Sequence, residues 1–136
     1  MKKKIGKGIK ILILDDERDL CAFMKGFFIK RGFQVKTALT GQAAINLIKR
    51  ATPNIAILDI YLCKGNKNGI DILKHIKKNK PGCHCVMISG HKEKYEQDSF
   101  QFGAEDFLVK PLTIQKLEKS INKMVYKIKK EEGAHG

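Results

Sequence analysis

The feature that most constrains this chain is an alternation of short apolar runs with amphipathic helical segments. Four runs, Ile11 to Leu14, Ile55 to Leu58, Val86 to Ile88 and Phe107 to Val109, are too uniformly apolar for strands with one wet face. They suit the strands of a parallel sheet buried on both sides. Each run ends in a residue that can carry chemistry: Asp15-Asp16, Asp59, Ser89 and Lys110-Pro111. In open α/β sheets ligands gather outside the carboxyl ends of the strands. Three carboxylates, a hydroxyl and an ammonium are therefore expected to meet at one edge, a set suited to a divalent cation and a phosphoryl group.

The segments between the runs read as helices. Leu20, Phe23, Met24, Phe27 and Phe28 recur at helical spacing until Lys30-Arg31-Gly32, a basic last turn with a glycine stop. Phe33 to Val35 reads as a short second strand, and Thr40 can cap a helix with Ala43, Ala44, Leu47 and Ile48 on one face, closed by Pro53. A polar loop, Lys64 to Asn68, leads to a helix carrying Ile70, Leu73 and Ile76, with Pro81-Gly82 before the fourth strand. The segment from His91 to Phe102 is mostly polar, with Tyr95, Phe100 and Phe102 as its large apolar anchors, and predicts the most weakly held helix. A final helix after Thr113 shows Ile114, Leu117, Ile121, Val125 and Ile128 between lysines. Five strands and five helices joined by right-handed crossovers give a three-layer α/β/α sandwich around a parallel sheet, flavodoxin-like in type. Residues 1–8 are expected to be a basic, mobile lead-in, 9–130 the domain, and 131–136 a frayed tail.

A chain of 136 residues is one domain with a real core, and no apolar stretch reaches membrane-spanning length. The lysine-rich start lacks the apolar segment of a secretory signal, so the expected location is the cytoplasm. Cys21, Cys63, Cys83 and Cys85 show no disulfide framework and are expected as thiols. Cys83-His84-Cys85 with His91 invites a zinc reading, but alternation along a strand turns His84 away from the two thiols. The net charge of +13 permits nucleic acid, anionic lipid or an acidic partner. The lysines are spread over nearly every segment without interleaved aromatics, so a solvated basic surface is expected rather than a specific nucleic-acid site.

Hard oxygen ligands select Mg²⁺ or Mn²⁺, and Asp15, Asp16 and Asp59 supply them. Asp59 can also act as a nucleophile and carry an acyl phosphate. Lys110 can pair with Asp59 or a phosphoryl oxygen, and Ser89 can donate to the same oxygen. Singly these residues have plainer readings: Asp16 and Ser89 as helix caps, Lys110 as a solvated lysine. Their conjunction on four strands favours a site.

The residues Asp15-Asp16-Glu17, Asp59, Ser89-Gly90, Gly103 to Phe107 and Lys110-Pro111 make the chain, over about residues 9–128, resemble the receiver domain of two-component response regulators. The resemblance implies that Asp59 accepts phosphate from a phosphohistidine of a sensor histidine kinase or histidine phosphotransfer protein. It implies Mg²⁺ held by Asp15, Asp16, Asp59 and the backbone carbonyl of Tyr61. It further implies a switch in which Ser89 moves toward the phosphoryl group and Phe107 turns inward, changing the surface offered to a downstream protein target or a phosphorylation-linked dimer. The family's Lys-Pro bond is cis, so the Lys110–Pro111 bond is expected to be cis. Two departures stand out: Cys63 occupies the place of the family's proline, and the matching glycine, Gly69, comes about two residues late. Tyr61 is also bulky beside an acyl phosphate.

Two other classes compete. An aspartate-nucleophile, Mg²⁺-dependent phosphohydrolase would resemble an Asp-x-Asp pattern after the first strand with a second acidic pair late in the chain, and neither is present. A nucleic-acid binder would use the basic surface, but no helix-turn-helix pattern follows residue 128. The chain is read as a stand-alone receiver or a piece of a longer regulator, acting as a signalling module rather than a turnover enzyme.

Overall fold

The computed structural model describes residues 4–63, 65 and 67–135. Its elements alternate as β1 (Lys10–Leu14), α1 (Arg18–Lys30), β2 (Gln34–Ala38), α2 (Gly41–Arg50), β3 (Ile55–Asp59), α3 (Gly69–Asn79), β4 (His84–Ser89), α4 (Lys92–Gln101), β5 (Asp106–Val109) and α5 (Ile114–His135). The strands form one sheet in the order β2-β1-β3-β4-β5, and every neighbouring pair is parallel. No helix is long and apolar enough to cross a membrane among the described residues.

Although the apolar runs are continuous, their side chains still alternate between two layers. Ile11, Ile13, Ile55, Ile57, Val86, Ile88 and Leu108 pack with α1 and α5. Leu12, Leu14, Ala56, Leu58, Cys85, Met87 and Phe107 pack with α2 and α3. Sequence cues set several helix starts. The Ala43 N–H donates to Thr40 Oγ1 at 3.2 Å to cap α2. Asn68 and Asp71 exchange 3.0 Å bonds in a capping box that opens α3.

The structure corrects some expectations. β2 runs to Ala38, beyond the short strand read from Phe33 to Val35. Residues 4–8 form a turn in which the Gly6 N–H donates to the Arg31 carbonyl and Ile5 packs on the core. Residues 1–3 and 136 lie outside the described residues, as do Lys64 and Asn66 of the polar loop. α5 runs through His135. Phe23 and Phe100 are exposed rather than buried anchors. Among the described side chains of α4 Ser99 is buried, while Tyr95 and, just past the helix, Phe102 are only partly covered.

Candidate functional site

Register brings the strand-end residues together. Leu14 pairs with Leu58, so Asp15 and Asp59 emerge side by side from adjacent strands. Asp59 pairs with Ile88, one residue before Ser89. Ser89 in turn pairs with Val109, one residue before Lys110, whose N–H donates to the Ser89 carbonyl. The Lys110–Pro111 bond is cis.

Lys110 Nζ lies 3.2 Å from Asp59 Oδ2, 3.5 Å from Asp15 Oδ2 and 3.9 Å from Glu17 Oε1. It is therefore an ion-pair partner of the site and not a solvated lysine. Asp16 does not cap α1, whose N-cap residue is Glu17. Its Oδ2 accepts the Cys63 N–H at 2.7 Å, which ties the β3–α3 loop to the end of β1. The Glu17 N–H is taken by Asp15 Oδ1 at 2.9 Å. Ser89 is fully buried, and its Oγ accepts the His91 N–H at 2.9 Å, so in this state it does hold a backbone donor at the entry to α4.

Burial and proximity divide the three acids. Asp59 is pushed up to about 7, first by burial and then by the neighbouring Asp15 carboxylate, against the pull of Lys110. Burial also raises Asp15, opposed by the Glu17 N–H and Lys110. Asp16 is held low, chiefly by the Cys63 N–H. Burial acts to lower Lys110, but the Asp59 and Asp15 carboxylates outweigh it and leave the ammonium raised.

Asp15, Asp16 and Asp59 each offer a carboxylate oxygen within 4.8 Å of the others, and no other trio or larger group of His, Cys, Asp or Glu does so among the described residues. Asp15 Oδ2 is buried and makes no hydrogen bond, its one charged partner being the Lys110 ammonium at 3.5 Å that it shares with Asp59. Three carboxylates served by a single ammonium, all of them hard oxygen donors, fit a divalent cation such as Mg²⁺ or Mn²⁺. Cys83, His84 and Cys85 form no such group: the thiols are buried and free, while His84 lies 3.4 Å from Glu105 and 3.3 Å from Glu131.

Several features of the site escaped the sequence reading. A Cβ on Gly69 would overlap the Asp59 carbonyl, and the Gly69 N–H donates to the Ile60 carbonyl at 3.1 Å. The late glycine is thus the residue that lets α3 start against the end of β3. Tyr61 stands half exposed beside His91 and Tyr95, with ring centroids 5.4 and 5.6 Å away. The sequence carried no signal for that cluster, because its members come from the β3–α3 loop and the α4 region. Phe107 is buried.

Fold and site together define an open parallel α/β module that presents a buried aspartate, flanked by an acidic pair and a lysine, at the carboxyl edge of its sheet. Residues 11–122 match the family model for the response regulator receiver domain, and the chain belongs to that family. Such domains are signalling modules rather than turnover enzymes. The chain is 34% identical over 108 residues to the nitrogen assimilation regulatory protein NtrX of Azorhizobium caulinodans, covering 79% of this chain and 24% of that protein. It is 29% identical over 121 residues to the response regulator SaeR of Staphylococcus aureus, covering 88% of this chain and 52% of that protein. The chain thus spans from about a quarter to about a half of these relatives' length. The receiver domain of NtrX from Brucella abortus is similar at a TM-score of 0.80 and 31% identity, covering 85% of this chain and 98% of that one. A CheY-like receiver domain protein from Methanospirillum hungatei gives a TM-score of 0.83 at 26% identity, covering 90% and 98%.

Proposed function

We propose that this receiver accepts a phosphoryl group on Asp59 from a phosphohistidine of a sensor histidine kinase or histidine phosphotransfer protein, in the cytoplasm. One observation carries the reading: a carboxylate only 2% exposed stands at the end of β3, 3.2 Å from Lys110 and beside Asp15. A buried carboxylate that shares its one ammonium with a second buried acid suits an in-line acceptor better than a structural ion pair.

In the transfer, an Asp59 oxygen attacks phosphorus and an O–P bond forms as the N–P bond of the phosphohistidine breaks. The departing imidazole nitrogen keeps the bonding electrons and takes a proton. Lys110, already paired to Asp59, is positioned to move its charge onto a phosphoryl oxygen. Asp15, Asp16, Asp59 and the Tyr61 carbonyl would hold Mg²⁺, with Mn²⁺ an acceptable substitute, supplying positive charge that offsets the carboxylates and the transferring oxygens. The switch begins at Ser89. Donating its hydroxyl to the phosphoryl group requires its Oγ to leave the His91 N–H, which loosens the entry to α4. Phe107 is buried in the layer that also holds Tyr95 and Phe102, so movement of α4 repacks that layer and alters the surface offered to a downstream protein target or to a second phosphorylated copy.

Incubation with Mg²⁺ and acetyl phosphate, followed by mass spectrometric mapping, is expected to find one phosphoryl group on Asp59 and none on the Asp59→Asn protein. An adduct surviving in that variant would overturn the assignment.

A further inference from the structure

We propose that a hollow at the amino ends of β1 and β2 binds a small carboxylic acid carrying one aromatic ring, with the ring on an apolar floor and the carboxylate between Lys10 and Lys36. The hollow measures about 200 Å³ and lies between these strands and the last turn of α2. Leu12, Ile48 and Pro53, all buried, make up its floor together with Leu47. Strand register sets its rim: Lys10 pairs with Gln34, and Leu12 with Lys36. Alternation puts Lys10, Leu12 and Lys36 on one face of the sheet, the face on which Leu12 packs with α2. The Lys10 backbone is held there by Asn54: its N–H donates to Asn54 Oδ1 at 2.8 Å, and its carbonyl accepts the Asn54 N–H at 2.9 Å.

Size and charge select the occupant. An apolar cavity of roughly 150 Å³ accepts benzene, so this hollow takes a single ring, whereas a helix, about 10 Å across with its side chains, is too large. None of the residues lining it is acidic, and neither Lys10 nor Lys36 forms an ion pair among the described residues. Strand spacing and rise put their Cα atoms about 8 Å apart, so two four-carbon stems can converge on one carboxylate while their methylenes extend the apolar floor. The last turn of α2, whose carbonyl end repels an anion, carries Lys49 and Arg50 to offset it. A neutral ring would leave both ammoniums unused, and a bare anion would leave the apolar floor wet; a ring joined to a carboxylate satisfies both. β1 has the hollow at one end and Asp15 just beyond the other, so the ligand touches none of the residues assigned to phosphoryl transfer.

The test is a titration of the whole nitrogen-15-labelled chain with phenylacetate, benzyl alcohol and acetate at near-physiological salt, read by amide chemical shifts. Phenylacetate is expected to give saturable shifts centred on residues 10–12, 34–36 and 47–54, with benzyl alcohol and acetate each binding at least about tenfold more weakly. Lys10 and Lys36 are exposed, so the double variant Lys10→Gln, Lys36→Gln keeps the fold. In it phenylacetate affinity should fall about tenfold while that of benzyl alcohol stays within about twofold. No saturable shift up to about 10 mM phenylacetate, or saturable shifts centred elsewhere, would overturn the proposal. Acetate binding as tightly as phenylacetate would reduce the site to diffuse attraction and sink it. Benzyl alcohol binding as tightly, or an undiminished phenylacetate affinity in the double variant, would remove the lysines from the site and sink it too.

Discussion

Two carboxylates on neighbouring strands face the same lysine, and burial makes them unlike the third. Asp59 and Asp15 are both raised, with burial the first cause, whereas Asp16 is lowered by the Cys63 N–H. The repulsion at the metal-free edge therefore sits in the Asp15–Asp59 pair. Asp59→Asn is expected to raise the metal-free melting temperature by several degrees, since about 1 kcal/mol moves a domain of this size by roughly 3–5 °C. Asp16→Asn gives up a charge-assisted hydrogen bond and is expected to bring no such gain. Both variants should lose most of the Mg²⁺-induced rise, which for native-only binding is about 1.4 kcal/mol at about ten times Kd. The pH sign follows from Asp59: its folded pKa, about 7, exceeds the ordinary 3.8. Its contribution to folding is full below the ordinary value and lost as pH rises through the folded one, so metal-free stability should fall across that window and flatten in Asp59→Asn. Thermal melts with and without Mg²⁺ check all of this, and an undiminished Mg²⁺ shift in both variants would put the cation elsewhere.

Among the elements, α5 is held in two ways. Leu117, Ile121, Met124, Val125 and Ile128 bury its inner stripe, while its last turns rest on a charged contact, Glu131 Oε1 at 3.3 Å from His84 Nε2. The other His84 nitrogen faces Glu105 at 3.4 Å, and Glu105 also pairs with Lys77 at 2.9 Å. The Glu105 carboxylate beside it, opposed by burial, leaves His84 raised above 6.5. A raised histidine stabilises fully below its unfolded pKa and loses that contribution as pH rises through its folded one. Backbone amides of residues 127–131 should therefore exchange faster, beyond the intrinsic pH effect, at about pH 8 than at about pH 6. Glu131→Gln should remove most of that extra difference, and equal pH sensitivity in the variant would show that His84 does not hold the helix end. The stripe of α5 was legible in the sequence because helical period marks burial. The anchor was not, because His84, Glu105 and Glu131 are brought together only by the packing of β4, the start of β5 and α5. Phe23 and Phe100 show the reverse failure, apolar residues that the period included and the packing left outside.

Over the whole molecule the basic charge is spread across nearly every segment, and part of it falls in the last turns of α1, α2 and α3, which carry Lys30, Lys49, Arg50, Lys77 and Lys78. Asp15, Asp16 and Asp59 gather at the carboxyl edge of the sheet. Basic last turns complement helix dipoles, which makes this distribution a product of helix chemistry as much as of partner choice. Binding to duplex DNA is expected to be weak, sequence-independent and steeply reduced between about 50 and about 200 mM salt. A gel-shift or anisotropy titration showing sequence preference that persists at the higher salt would refute it. The sequence by itself determined the alternating α/β order, the buried parallel sheet and the strand-end residues Asp15, Asp16, Asp59, Ser89 and Lys110, because those signals are local: apolar runs, helical period, caps and stops. Tertiary structure alone decided that Lys110 reaches both Asp59 and Asp15, that Asp16 binds the Cys63 N–H, that Gly69 abuts Asp59, and that Asp59 and Asp15 are raised while Asp16 is lowered. Those outcomes depend on strand register, on the path of the β3–α3 loop and on how deeply each carboxylate is buried, and all three are set by contacts between residues far apart in the chain.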